Sequence, residues 1–284
     1  MDTSLLTVVL GQQSMMLKNI DNLGYELANE WMRWEVFCIA SHGVRSLQVH
    51  GKTSLLFQFA FNTSLEDTQY GNGKVVFICN RRRLETNPPF LSQGTDPSSD
   101  TFHRIEMKYV DDDEDIKKYF SAFHLHDTFP AAVVIDDFGN FFQERGCQQR
   151  YGNPRGRDLA MVRTLALCHS AIFHANETRP CQLLLSETHH GDTPRLLFIY
   201  KRWIPTIFTV IGDGSGSFYL KSNSNLGSDS LGRTIIAKYS IALHYLVLEG
   251  ITEDHERSSG FMKSVSSVVG FDLVVTGYSV PITK

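Results

Sequence analysis

Three consecutive residues, Gly51, Lys52 and Thr53, have the types and the order needed to hold a phosphate group. Glycine lets the backbone approach a phosphate closely, and the free N–H groups at the start of a helix attract anions. The lysine would reach the outer phosphates of a nucleotide, and the threonine hydroxyl would bind Mg²⁺. Apolar residues at helical spacing predict a helix from Lys52 to Leu65. We therefore interpret this segment, which continues with Ser54, as the end of a phosphate-binding loop.

An aspartate after a buried strand strengthens this interpretation. The apolar run from Ala131 to Ile135 is typical of a strand buried on both faces, and Asp136 follows it directly. An aspartate in this place would hold Mg²⁺, directly or through water. ATP and Mg²⁺ are the expected ligands, with Thr53 and Asp136 contacting the metal. The predicted nucleotide site comprises Gly51, Lys52, Thr53, Ser54 and Asp136.

The elements around these residues alternate between strand and helix. Strands are predicted at Val75 to Cys79, Ala131 to Ile135 and Cys181 to Leu185, and a helix at Asp158 to Ala175. This alternation is typical of a parallel, doubly wound sheet. Beyond Ile204, short strands predict an antiparallel meander. We therefore expect an α/β fold with a mainly parallel central sheet, helices on both faces and an antiparallel C-terminal extension of the sheet.

Other segments complete the expected organisation. Thr86 to Thr101 and Gly146 to Arg157 are rich in turn-forming residues and predict loops. Ile105 to Val110 predicts a strand, and the acidic run from Asp111 to Asp115 predicts a helix start because carboxylates stabilise helix N-termini. We expect a core at 46–250, preceded by a segment at 1–45 with few clear signals and followed by a tail at 251–284. In the two flanking segments the weaker patterns predict a helix at Leu17 to Arg33 and strands at Val36 to Ala40 and Phe271 to Val275.

The bulk composition excludes several classes of protein. The chain has 284 residues and a formal net charge of −4, so no global excess of positive charge indicates a nucleic-acid binder, but basic loops on such a chain can still bind a phosphate backbone. Its five cysteines are scattered without a CxxC pair, which argues against a disulfide framework and a four-ligand zinc site. No apolar run reaches the ~18 residues of a membrane span, and no basic region precedes the apolar residues from Leu5 to Leu10. We therefore expect a soluble intracellular protein without a membrane partner.

The loop before Gly51 departs from the usual phosphate-binding pattern, which has a glycine where this chain has Ser46. Leu47 and Val49 are poor choices for a loop that wraps around a phosphate with unusual backbone angles, and Gly43 comes too early to replace the missing glycine. Either the loop is degenerate and binds nucleotide weakly, or the N-terminal segment is a variant of the usual one.

Several patches of the chain carry a resemblance to a known family. They are Gly51–Phe57, Val75–Arg82, Ala132–Phe141 and Leu196–Pro205. From Gly51 to about Lys221 the chain resembles the RecA-superfamily recombinase paralogues of the Shu-complex type, which associate with a zinc-finger SWIM-domain protein. The resemblance implies a RecA-type P-loop fold and a nuclear DNA-repair factor of homologous recombination. It also implies single-stranded DNA, the SWIM-domain protein and RecA-type recombinases as partners, whose filaments the protein would promote.

The resemblance further implies a water-activating glutamate just after the second strand, where this chain has Arg81. Arginine cannot act as a general base, so we expect slow or DNA-stimulated ATP hydrolysis at most, or binding without turnover. Glu85 is close enough in sequence to be a substitute if its geometry allows.

Basic residues in loops beyond the strand ends are candidates for contacts with DNA phosphates. The candidates are Arg81, Arg82, Arg83, His189, His190, Arg195, Lys201 and Arg202. Tyr200 and Trp203 are candidates for stacking on bases. The alternative for these side chains is structural, because tryptophans often pack in cores and loop arginines are often only solvated.

Two other functions are compatible with parts of the sequence. Ser46 and Arg81 both favour a non-catalytic scaffold that recruits partners and has lost its nucleotide. An unrelated P-loop kinase or GTPase is disfavoured because the chain lacks a guanine-reading motif and an arginine-rich lid. A zinc site at His189 and His190 is disfavoured because no cysteine or carboxylate stands at ligand spacing.

Overall fold

The structure, a computed structural model, describes residues 36–42, 49–66, 73–189, 195–204, 206–212, 216–223, 233–255 and 273–276. The strands in these ranges are β1 (Val36–His42), β2 (Val75–Cys79), β3 (Ile105–Tyr109), β4 (Ala132–Ile135), β5 (Gln182–His189), β6 (Thr206–Gly212), β7 (Ser217–Asn223), β8 (Arg233–Ala242), β9 (Tyr245–His255) and β10 (Leu273–Thr276). The helices are α1 (Val49–Glu66), α2 (Arg81–Thr86), α3 (Asp113–Ser121), α4 (Arg145–Arg150), α5 (Pro154–Asn176) and α6 (Arg195–Trp203). Short 3₁₀ helices cover Asp100–Arg104, Phe123–Leu125 and Phe138–Phe142.

The described strands form one ten-stranded sheet in the order β3-β2-β4-β5-β1-β10-β6-β7-β8-β9. All pairings within β3-β2-β4-β5-β1 are parallel, and β6 also pairs with β1 in parallel. The pairings of β7, β8, β9 and β10 are antiparallel. The predicted α/β class, with a parallel sheet and antiparallel strands towards the C-terminus, is therefore confirmed.

Helices cover both faces of the parallel strands. On β4, Val133 and Ile135 belong to an apolar cluster that includes residues of α3, α5 and α6. Their neighbours Ala132 and Val134 belong to a second cluster, together with the apolar side of α1. Successive side chains of a strand point to opposite faces, so burial on both faces requires the continuous apolar runs seen in β2 and β4. The buried free thiols in these clusters are Cys79, Cys147, Cys168 and Cys181.

The loop predicted for Gly146 to Arg157 is wrong, because this segment contains most of α4 and the start of α5. Asn153 caps α5 by accepting a hydrogen bond from the Gly156 N–H at 2.7 Å, and Pro154 lies in the first turn. Glycine and proline usually indicate a break in secondary structure. Here they belong to a helix start, where the fixed φ of proline is favourable and asparagine is a preferred cap.

The antiparallel meander predicted beyond Ile204 is confirmed, because β6, β7, β8 and β9 pair antiparallel in chain order. On its other side β6 pairs with β1 in parallel. Leu243 and His244 have φ values of 51° and 63° and form the turn between β8 and β9. Two consecutive residues with positive φ give the tight hairpin turn that matches the twist of antiparallel strands.

The sheet extends into both segments that flank the predicted core. β1 lies within 1–45 and contains the predicted strand Val36 to Ala40, while β10 lies within 251–284 and overlaps the predicted strand Phe271 to Val275. The helix predicted at Leu17 to Arg33 lies outside the described residues. None of the described helices combines the length and the apolar character needed to cross a membrane.

Candidate functional site

The candidate site lies at the carboxyl ends of three adjacent parallel strands, β4, β5 and β1. Helix α1, which follows β1 in the chain, carries Gly51, Lys52 and Thr53, and β4 leads directly to Asp136. Strand β5 lies between β1 and β4 in the sheet and brings Ser186–Thr188 to the same edge. The carboxyl ends of parallel strands are the usual place for a ligand in an open α/β sheet.

Lys52 is fully buried, with 1% of its surface exposed, and its ammonium group is surrounded by oxygen atoms. The ammonium forms an ion pair with the Asp137 carboxylate and donates to the Thr188 hydroxyl at 2.5 Å. It also lies 4.0 Å from Oδ1 of Asp136. A buried charge needs such partners, because leaving water without compensation is costly. The structure therefore brings together the two residues, Lys52 and Asp136, that the sequence placed at one site.

Thr53 and Asp136 form a second contact at the same edge. The Thr53 hydroxyl donates to Oδ2 of Asp136 at 2.9 Å, and the Ser186 hydroxyl donates to Oδ1 at 2.7 Å. A hydroxyl next to a carboxylate supplies hard oxygen ligands of the kind that Mg²⁺ prefers. The described residues contain no group of three or more His, Cys, Asp or Glu that could hold a metal. The donor set fits Mg²⁺ bound together with phosphate and water oxygens, which is the usual arrangement with nucleotides.

Asp137 is a site residue that the sequence did not single out. Its backbone is left-handed, with φ 55° and ψ 51°, and its N–H donates to the Ser186 hydroxyl at 2.8 Å. Its carboxylate accepts hydrogen bonds from the Lys52 ammonium and from the Thr188 hydroxyl. A non-glycine residue in this conformation costs on the order of 1–3 kcal/mol, so surrounding contacts must hold it. The only sequence signal was a second aspartate directly after Asp136.

Glu187 is the second residue that the sequence did not single out. It is buried on β5 and accepts hydrogen bonds from the Gly139 N–H at 2.8 Å and from the Tyr200 hydroxyl. Burial raises the pKa of Glu187 to about 7, although these hydrogen bonds and the charge of Lys52 act in the opposite direction. A Cβ atom at position 139 would collide with the carboxylate, so any larger residue there would have to displace the Glu187 side chain. Glu187 thus anchors the turn that contains Asp137.

The other two predicted nucleotide residues pack against distant parts of the chain. A Cβ atom at Gly51 would lie 3.3 Å from the ring of Phe218 on β7. Ser54 is fully buried, and its hydroxyl accepts a hydrogen bond from the Phe90 N–H at 2.9 Å. The first two turns of α1 therefore contact both the antiparallel strands and the loop between α2 and β3.

Helix α1 begins earlier than the sequence predicted. It starts at Val49, so Val49 and His50 are helical, whereas the pattern placed them in the phosphate-binding loop. Ser46 lies outside the described residues. In a helix the first four N–H groups have no partner within the helix, and here they belong to the segment from Val49 to Lys52. The segment that replaces the usual glycine-rich loop is correspondingly shorter.

The arginines after β2 lie on the exposed side of α2. Arg81 and Arg82 are exposed, and the guanidinium of Arg81 stacks over Tyr109 at 4.5 Å from the ring centre. Arg81 also lies 3.7 Å from the carboxylate of Glu85, which is itself 67% exposed. Arg83 is bound to Glu144 at 2.6 Å. Glu85 therefore faces Arg81 at the surface and has no described contact with the residues around Lys52.

Helix α6 separates its candidate residues into a buried and an exposed side. Lys201 and Arg202 are exposed, as expected for phosphate contacts. The prediction that Tyr200 stacks on bases is wrong, because the residue is fully buried and bound to Glu187. Phe198, which the sequence did not single out, is instead 71% exposed. Trp203 is half-buried and packs against the core and the ring of His169. Arg195 lies on α6 and His189 on β5, but their side chains are not described. His190 lies outside the described residues.

No protein-family model matches this chain, and no curated protein matches it either.

Proposed function

We propose that the protein binds ATP with Mg²⁺ at the site formed by Lys52, Thr53 and Asp136, within a RecA-type P-loop fold. One observation carries the proposal: Thr53 and Asp136, 83 positions apart in the chain, are hydrogen-bonded at 2.9 Å beside the Lys52 ammonium. A lysine and a hydroxyl in the first turn of a helix, opposite an aspartate at a strand end, suit the outer phosphates of a nucleotide and their metal. The set of parallel strands with an antiparallel extension supports the same fold.

Each residue would have a distinct task when nucleotide binds. Lys52 would contact the outer phosphates, and the hydroxyl of Thr53 with the carboxylate of Asp136 would hold Mg²⁺. When bound, the metal ion supplies positive charge that neutralises phosphate oxygens. Ser186 keeps the Asp136 carboxylate oriented, because its hydroxyl donates to Oδ1 of that group. The backbone N–H groups at the start of α1 add further positive potential.

Slow hydrolysis is part of the proposal. A general base must lie within hydrogen-bonding reach of the attacking water. Arg81 cannot serve as a base, and Glu85 is exposed and faces Arg81 at 3.7 Å. The protein would therefore act chiefly through ATP binding, with at most a weak ATPase that DNA stimulates.

The exposed face of α6 supports binding of single-stranded DNA. Phe198, Lys201 and Arg202 stand at positions i, i+3 and i+4 of the helix and are all exposed. Side chains at this spacing share one face of a helix. Two cations can bind backbone phosphates while the aromatic ring stacks on a base, which is the usual combination for binding single strands without sequence preference.

The biological setting rests on the family resemblance alone. It assigns the protein to nuclear DNA repair by homologous recombination, where it would associate with a zinc-finger SWIM-domain protein. In this setting the complex would promote filaments of RecA-type recombinases on single-stranded DNA.

The first test is binding of a fluorescent ATP analogue with Mg²⁺ to the purified protein and to Lys52→Ala. Micromolar binding that is lost in Lys52→Ala is the expected result, because the ammonium is the only cation described at the site. Lys74→Ala is a matched control, since Lys74 pairs with Glu106 at 2.5 Å on other elements of the fold. Binding that survives in Lys52→Ala would place the nucleotide elsewhere and refute the proposed site.

The DNA part is tested with a fluorescent oligonucleotide. Phe198→Ala should weaken binding at all salt concentrations, because stacking on a base is worth about 1–3 kcal/mol. The double variant Lys201→Ala with Arg202→Ala should weaken binding and also make the affinity less dependent on salt, because a protein with fewer phosphate contacts releases fewer counterions when it binds. Phe173→Ala, at another partly exposed phenylalanine, is the control. Salt-independent binding would contradict contacts with the DNA backbone.

A second function, a scaffold without nucleotide, is favoured by one observation. The Lys52 ammonium already has two oxygen partners from the protein itself, Asp137 and Thr188. A site satisfied in this way can be purely structural. If Lys52→Ala kept partner binding and repair activity in cells, the scaffold function would be supported and a need for ATP refuted.

A further inference from the structure

The Lys52 ammonium holds a carboxylate at the place where the proposed function requires a phosphate. Its closest partner is Oδ1 of Asp137, and this ion pair is buried, with 1% of the lysine and 11% of the aspartate side chain exposed. A carboxylate and a phosphate both offer anionic oxygens to an ammonium group. The site therefore already contains an internal anion, the Asp137 carboxylate, on the residue that would receive the nucleotide.

The structure holds Asp137 firmly in this place. Its N–H donates to the Ser186 hydroxyl at 2.8 Å, and its carboxylate accepts from the Thr188 hydroxyl at 2.5 Å. Its left-handed backbone, with φ 55°, costs an aspartate less than most other non-glycine residues but is still maintained by these contacts. Contacts from β5 thus stabilise a conformation that directs the carboxylate at Lys52.

We propose that Asp137 is a tethered competitor of the terminal phosphate, which pairs with Lys52 whenever nucleotide is not bound and thereby weakens the affinity of the protein for ATP. This inference rests on the proposed ATP binding. Nucleotide would have to displace the carboxylate from the ammonium, and the displaced group would then lie near a phosphate of the same charge. Both steps make ATP binding less favourable. Displacing the carboxylate breaks a charge-assisted hydrogen bond for the one that the phosphate forms, and the displaced carboxylate is then repelled by the phosphate.

The competition also explains how a buried lysine can be present without nucleotide. An unpaired ammonium at 1% exposure would be strongly destabilising. Asp137 removes that cost whenever nucleotide is not bound, and a phosphate would remove it for the bound protein. The Lys52 ammonium would therefore be paired with Asp137 before nucleotide binds and with a phosphate afterwards, so the protein would be stable in both states.

The test uses Asp137→Asn, because asparagine keeps the shape, can accept a hydrogen bond from Lys52 and tolerates a left-handed backbone. Its affinity for a fluorescent ATP analogue with Mg²⁺ should rise about tenfold or more over the parent protein. Asp127→Asn, at an exposed aspartate, is the matched control and should leave the affinity unchanged. The increase in melting temperature with added ATP should also be larger for Asp137→Asn, because tighter binding stabilises the folded state further.

The outcomes separate this inference from the proposed function. Equal or weaker binding by a folded Asp137→Asn, with parental binding that Lys52→Ala abolishes, overturns the competitor and leaves the ATP site intact. If neither the parent protein nor Asp137→Asn binds the analogue, the competitor and the proposed ATP site are both overturned. If only Asp137→Asn binds it, both the competitor and the ATP site are supported. If Asp137→Asn fails to fold, Asp137→Gly gives the same measurement, since glycine accepts φ 55° without strain.

Discussion

Replacing the buried carboxylate of Glu187 by its neutral amide should change how the stability of the protein depends on pH. Burial raises the pKa of Glu187 to about 7 from an ordinary value of 4.5. A carboxyl group with a raised pKa stabilises the fold in its protonated form. Its contribution is fully present below the unfolded value and is lost as the pH rises through the folded value. The wild-type protein should therefore lose stability from this group between about pH 5 and pH 8.

The size of the effect follows from the pKa difference. Each unit of difference between the folded and unfolded states is worth about 1.4 kcal/mol, so a change from 4.5 to about 7 corresponds to roughly 3 kcal/mol in all. About 2–3 kcal/mol of this falls between pH 5 and pH 8. Glu187→Gln cannot ionise, and its carbonyl oxygen can still accept the Gly139 N–H. Its free energy of unfolding should lack this decline, apart from a constant offset for altered hydrogen bonds.

Urea denaturation of both proteins at several pH values measures the effect. Other groups also contribute to the pH dependence, including His126 and His169, whose pKa values burial lowers. The difference between the two proteins is therefore the quantity to compare, and it should move in favour of Glu187→Gln as the pH rises. Glu85→Gln, at an exposed carboxylate, is the control. A difference that is constant with pH, or that moves in favour of the wild type, would refute the reasoning.

Two further substitutions test buried polar contacts of the fold. Asp113→Asn should cost about 2 kcal/mol in urea denaturation, because a fully buried carboxylate loses its charged hydrogen bonds to Lys117 and Arg150, which keep Glu114 and Asp112 as partners. Asp115→Asn, in a more exposed pair, should cost about 0.5 kcal/mol. Gly139→Ala should cost roughly 2 kcal/mol and weaken ATP binding, because the added Cβ meets the Glu187 carboxylate. Gly152→Ala, where a Cβ meets nothing within 4 Å, is its control, and equal effects in the two glycine variants would contradict the steric explanation.

The local pattern of hydrophobic residues was sufficient to predict the helix and strands nearest the candidate site. The apolar periodicity of α1 and the continuous apolar runs of β2 and β4 are properties of short segments, and all three elements were predicted, although α1 begins at Val49 rather than at Lys52. The closeness of Lys52 and Asp136 also followed from a general rule, because loops at the carboxyl ends of parallel strands meet at one edge of the sheet. These features needed no knowledge of the order of the strands.

The missed residues depend on that order and on the tertiary packing. Ser186, Glu187 and Thr188 belong to the site because β5 lies between β1 and β4, a placement that no local pattern encodes. On α6 the sequence offered three aromatic residues without showing which side faces the core. The structure buries Tyr200 and exposes Phe198. Side-chain direction on a helix follows from what the helix packs against, and propensity does not specify it.

The central position of β1 has a consequence for the order in which the chain can fold during synthesis. Among the described strands, the partners of β1 are β5, β6 and β10, which begin at Gln182, Thr206 and Leu273. The strands β2, β3 and β4 can pair with one another much earlier. Until β5 has been synthesised, β1 therefore has none of its described partners, although β2, β3 and β4 can already form a partial sheet. Such late, long-range pairings slow folding and expose strand edges to aggregation, so β1 would join the candidate site only together with β5.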